Sequence, residues 1–183
     1  MKSILKNLKA EWDAKYPVLR FFTLFAILMV LFYLGTVTSF YNNNFLPSYL
    51  HFNAEISGLI LSGLGQDVNV EGTSILSPIH SIKLIRGCEA IEPSALFIAA
   101  VLAFPAPFLL KMPGIIIGTL SLLTLNLIRI ISLFFVGIYY PQAFEIMHIE
   151  VWQALFILLA LLFFVFWLLW VTQRQRIQQH VPD

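Results

Sequence analysis

Long apolar runs set the plan of this chain. Residues 21 to 54 carry no charge, and FFTLFAILMVLFYLGTVTSF within them suits one helix of about 20 residues across a hydrocarbon core about 30 Å thick. Further runs cover Pro93 to Leu110, Met112 to Ile128 continuing past Arg129 to Tyr140, and Val151 to Gln173. The pattern predicts an all-α polytopic membrane protein: a four-transmembrane-helix bundle forming a single unit over residues 1–183. Between the first two runs, about residues 39 to 88, YNNNFLP reads as a turn-rich exit from the membrane. Next, Ile56, Leu59, Ile60, Gly63 and Leu64 share a helical face opposite Glu55, Ser57 and Ser62, which predicts an extracytoplasmic amphipathic helix lying in the interface or capping the bundle. DVNVEG and SIKLI, punctuated by Gly72 and Pro78, predict a short hairpin.

Composition agrees with this plan and narrows the functions. Hydrophobic residues make up 59%, aromatic residues 15% and charged residues 11%, with a formal net charge of +1. There is too little charge to keep the chain solvated and unfolded, and no basic excess to hold nucleic acid. One cysteine excludes an internal disulfide framework, CxxC redox chemistry and any multi-cysteine zinc site, and no other metal or cofactor motif stands out. Two histidines within the bundle are what haem b would want, and at most one is placed there.

Lysine and arginine orient the bundle, because cytoplasmic flanks collect them. Lys2, Lys6, Lys9, Lys15 and Arg20 precede the first run, Lys111 lies between the second and third, and Arg174 and Arg176 follow the fourth. All fall on one side if the N-terminal segment 1–20 and the tail 174–183 are both cytoplasmic. The apolar stretch is too long for a signal-peptide core and is followed by no small-residue cleavage site, so it reads as an uncleaved anchor.

Three residues bring chemistry to the outer side. Arg129 sits within NLIRIISLFF, where hydrocarbon exposure would cost at least about 2.5 kcal/mol, so it should face protein or a watery cleft; a snorkelling structural arginine is the plainer alternative. Asn126, three residues earlier, shares its face and suggests a bond to Arg129 or His148. Cys88, in IRGCEAIEP, should lie at or just before a helix start, since Pro93 suits a first turn. Gly87 would permit close backbone approach there, while Glu89 and Glu92 oppose a thiolate unless Arg86, Arg129 or a histidine offsets them. A lone cysteine is ordinarily a small hydrophobe, and His148, at the outer mouth of the last run, is ordinarily an interfacial histidine. Together, thiol, imidazole and guanidinium at one depth are what a cysteine nucleophile, its base and a stabilising cation require.

Arg86-Gly87-Cys88, FIAAVLAFPAPF, Asn126 through Ile130, and His148 before Val151-Trp152-Gln153 resemble the exosortase and archaeosortase superfamily, with the RGC and LAFPAPF wording most similar to its H-type branch. The likeness covers roughly residues 15 to 172. It implies a cysteine transpeptidase of the bacterial cytoplasmic membrane, facing outward, that acts on secreted proteins ending in a motif, a transmembrane helix and a basic cluster. Cys88 would be nucleophile, Arg129 the oxyanion-stabilising cation and His148 the general base and later acid. The acyl-enzyme would pass to an amine, a lipid amine or water. The chain departs from many relatives in carrying Glu89 and Ala90 where they carry a Ser-Gly pair. Two other readings stay open: a small transporter or channel subunit with Arg129 and Asn126 lining a polar path, and a structural subunit in which Cys88 and His148 only pack.

Overall fold

The computed structural model describes residues 16–179. The basic positions Lys2, Lys6, Lys9 and Lys15, together with His180, lie outside the described residues. Four main helices form the bundle: α1 (Pro17–Thr36), a short α3 (Ile91–Ala103), α4 (Phe108–Tyr139) and α5 (Trp152–Gln179). A further helix, α2 (Leu46–Gly63), follows α1, and a three-stranded antiparallel sheet of β1 (Asn69–Glu71), β2 (Ser74–Leu76) and β3 (Ile82–Lys83) leads into α3.

Among the described residues, three helical stretches are long and apolar enough to cross a membrane: Pro17–Thr36, Phe108–Tyr139 and Pro141–Arg176. The second predicted span is shorter than expected. It holds 13 residues, about 20 Å at a rise of about 1.5 Å each, well short of the bilayer core. Prolines explain the shortfall. Phe104 precedes Pro105 and is extended, at φ −67° and ψ 137°, because the proline ring disfavours a helical predecessor. Helix α4 therefore restarts at Phe108, four residues before the predicted Met112, with Pro107 as its N-cap. Lys111 reaches back across this break and donates to the Leu102 carbonyl at 2.6 Å, satisfying one of the carbonyls that a helix end leaves open.

The short α3 is the centre of the bundle and packs against α1, α4 and α5. Small residues let it do so. Gly114 and Gly118 open one side of α4, and a Cβ on either would collide with the Trp167 or Phe97 ring, respectively. The space between helices is filled by aromatic faces, a close-approach device familiar from membrane helix pairs. Trp167 adds a hydrogen bond from its indole N–H to the Leu110 carbonyl at 3.1 Å.

Three predicted features are corrected. YNNNF is helical: residues 41–45 make a π-helical turn that continues into α2, and the helix is interrupted instead at Val37–Thr38. The Asn42 side-chain amide donates to the Thr36 and Thr38 carbonyls, so the asparagine closes the preceding turn from within a helix. In α2 the buried face is Leu50, Asn53, Ala54, Ser57, Gly58 and Leu61, while Leu59 and Leu64 are exposed. The predicted apolar stripe thus points outward, and a small-residue face takes the core because the sheet lies against it. Val70 occupies the space that a Gly58 side chain would fill. DVNVEG and SIKLI both supply strands, but they do not pair with each other: Ser74–Leu76 lies between them as the central strand, pairing Asn69 with Leu76 and Glu71 with Ser74 on one side and Ile75 with Ile82 on the other.

This sheet delivers residues 84–90 to the bundle. Leu84 donates to the Thr73 carbonyl and Cys88 to the Ile85 carbonyl, and the turn has positive φ at Gly87 (97°) and Ala90 (53°). A left-handed alanine costs roughly 1–2 kcal/mol, against about 0.4–1 kcal/mol of unfolded-chain entropy that a glycine adds. Ala90→Gly should therefore raise stability by about 0.5–1 kcal/mol, read as thermal unfolding in detergent. Gly118→Ala should lower it by about 1–3 kcal/mol through overpacking on Phe97, whereas Gly63→Ala, with nothing within 4 Å of the new methyl, should not.

Candidate active site

Cys88 lies in the turn three residues before α3, and His148 in a π-helical turn (Met147–Val151) just before α5. Arg129 comes from the second half of α4. The structure brings the first two into contact: Cys88 Sγ stands 3.1 Å from His148 Nε2. Arg129 joins them through the main chain. Its two terminal guanidinium nitrogens donate to the Gly87 carbonyl at 2.9 Å and the His148 carbonyl at 3.2 Å. The arginine is only 6% exposed and lies over the Phe156 ring, 5.7 Å from its centre, while its Nε–H has no hydrogen-bond partner among the described residues. A planar fork suits this task, because one side chain can hold two carbonyls in fixed relation.

The turn is braced at every residue. The Gly87 N–H donates to the Glu89 carboxylate at 2.5 Å, and the Tyr49 hydroxyl donates to the Glu89 carbonyl at 3.3 Å. Burial pushes the Glu89 carboxyl above its ordinary range, and its backbone donors pull it back. Burial also pushes the Cys88 thiol up, against the opposing charge of Arg129. A raised thiol favours the protonated form, so a thiolate at this position would call for a neighbouring base.

The remaining predicted residues sit elsewhere. Arg86 is exposed, bonds the Asn42 side chain at 3.4 Å and stacks over Tyr41, so its charge reaches Glu89 only from a distance. Asn126 is fully buried, but it donates to Asn53 of α2 at 3.4 Å and not to Arg129 or His148. Asn126 thus ties α4 to α2. Tyr49, Phe156 and Gln153 were missed as site neighbours; only Gln153, a polar residue at the head of an apolar run, carried a visible signal.

Beside the turn is a cavity of about 310 Å³, lined by Met29, Tyr33, Leu96, Arg129, Gln153 and Ile157 together with the Gly87–Pro93 segment apart from Cys88. Cys88 is 5% exposed and turned toward His148, while its neighbours Gly87 and Glu89 border the cavity. Among the described residues no cluster of His, Cys, Asp and Glu could hold a metal ion.

Comparison with known proteins identifies the chain. No curated protein and no solved structure is matched. The family model described as Transmembrane exosortase (Exosortase_EpsH) matches residues 16–166, most of the chain and every residue of the site just described. The protein is a membrane protein belonging to the transmembrane exosortase family.

Proposed function

We propose that this exosortase is a cysteine transpeptidase or protease that cleaves secreted proteins bearing a C-terminal motif, transmembrane helix and basic cluster. The observation that carries this reading is the 3.1 Å approach of the Cys88 sulfur to His148 Nε2. That is hydrogen-bond reach for a nucleophile and its base. His148 Nε2 takes the thiol proton as sulfur attacks the scissile carbonyl. The tetrahedral intermediate then collapses, His148 returns the proton to the departing amine, and the C-terminal helix leaves with it. A thioester on Cys88 remains. An amine, such as a lipid amine, or water attacks it, giving its proton to His148, and the sulfur is reprotonated as the product departs. Arg129 is the cation of the site. It holds Gly87 and His148 together and keeps its Nε–H free for a substrate or transition-state oxygen.

The bundle is further proposed to lie in the bacterial cytoplasmic membrane with both termini cytoplasmic and the Cys88 end outward. Client basic clusters then meet the side where Arg20, Lys111 and Arg174 fall.

Co-expression of a reporter fused to such a tail from the same genome tests the proposal: the wild type should shorten it, and Cys88→Ala should leave it uncleaved. His148→Ala should slow cleavage by about 100-fold or more, the usual worth of a positioned base. Unchanged processing in both variants would return the pair to a packing role. Arg129→Lys keeps the charge but loses the two-carbonyl fork, so it should be nearly as damaging as Arg129→Gln, seen as loss of processing in protein that remains inserted. Because the thiol is raised, its alkylation by iodoacetamide should climb with pH and reach half-maximum above the point for an exposed cysteine. A plateau already present in the acid range would instead indicate a standing ion pair.

A further inference from the structure

The cavity beside the Cys88 turn is placed between two helices that part there. Helices α1 and α5 meet at the far end of the bundle, where the Phe21 and Phe164 rings are 6.2 Å apart. Toward the site they flank a cleft, with Met29 and Tyr33 on one side, Gln153 and Ile157 on the other, and the first turn of α3 as floor. Tyr33 and Ile157 are each about half exposed, at 49% and 48%, so the cleft opens sideways onto the surface of an apolar bundle. Its walls differ in kind. Met29, Leu96, Phe156 and Ile157 are apolar, while Glu89, Glu92, Gln153 and the Arg129 guanidinium supply acceptors and donors.

One donor is unmet. The Arg129 Nε–H is buried without a partner in a side chain 94% withdrawn from solvent that lines this cleft, a condition that normally carries a desolvation penalty until an acceptor arrives. A lipid acyl chain would leave it unpaired. An extended peptide brings a carbonyl for the arginine and N–H groups for the two carboxylates, while its side chains face the apolar wall. The cleft is also continuous with the turn that carries the nucleophile, through Gly87, Glu89 and Ala90.

We propose that the α1–α5 cleft is a lateral gate through which the unwound end of a client's transmembrane helix enters from the bilayer as extended peptide, placing a backbone carbonyl on the Arg129 Nε–H beside Cys88. This rests on the transpeptidase reading and adds where the client binds. A second groove on a neighbouring face of α1, lined by Phe32, Leu102, Thr119 and Leu123 and meeting the first only at Ile91, has almost no polar surface and lacks every residue of the Cys88, Arg129 and His148 set, so it serves as the internal control.

The test places p-benzoylphenylalanine singly at Met29, Tyr33 or Ile157, and for comparison at Phe32 or Leu123, in the Cys88→Ala protein co-expressed with the tail-fused reporter. Photo-crosslinks to the reporter from the first three positions and not from the last two are expected. A companion pair in the nucleophile-intact protein, Leu96→Trp and Leu123→Trp, should separate likewise. Filling the cleft should cut reporter processing by more than tenfold while Cys88 stays alkylatable, and filling the control groove should not. Crosslinks confined to Phe32 and Leu123, or labelling of phospholipid alone at the cleft while the wild type still processes the reporter, would overturn the gate. Failure of the wild type to process the reporter would count against the transpeptidase reading instead, since crosslinking reports occupancy without chemistry.

Discussion

A guanidinium within an apolar helix must find acceptors, and the way Arg129 finds them organises this protein. Water is scarce at its position, and no carboxylate is bonded to it; the acceptors are the main-chain carbonyls of Gly87 and His148. Satisfying one buried cation therefore draws together the two segments that carry the thiol and the imidazole. A carboxylate partner would have neutralised the charge and left those segments independent. Because carbonyls carry no net charge, the arginine remains a cation beside Cys88 while also bracing it.

The rest of the fold serves this junction. The Phe104–Pro107 break limits α3 to 13 residues, so its N-terminal turn sits within the bundle between the long helices instead of projecting past them. The small sheet fixes the approach to that turn through Leu84 and Ile82, and α2 supports it through Tyr49. Two π-helical turns flank the same region, one holding Tyr41 and Asn42 against Arg86 and the other holding His148. Each shifts the helical register locally, a device often found where side chains are re-aimed at functional sites.

Left-handed backbone at Ala90 marks a point where local preference yields to the site. Alanine tolerates this conformation poorly, so this chain accepts a small local cost in a turn held by Gly87, Glu89 and Tyr49. Glu89 is the other departure. Buried, it accepts the Gly87 N–H, so a residue that appears hostile to a thiolate in sequence acts as a brace for the turn.

The apolar runs determined by themselves that the chain is helical and membrane-embedded, because lipid leaves a backbone few alternatives and length sets what can cross. They also put Cys88, Arg129 and His148 at one level, since span length and helix rise together fix depth. Depth says nothing about azimuth, and only tertiary packing decided that the three meet, that Asn126 turns to Asn53, and that α2 buries its small face. Helical periodicity names the faces of a helix but not the partner each will find. The break at Pro105 was written in the sequence too, yet its result, a short central helix surrounded by long ones, depended on Gly114 and Gly118 admitting Trp167 and Phe97. Close approach of that kind is a property of two surfaces at once, and a single strand of residues displays only one of them.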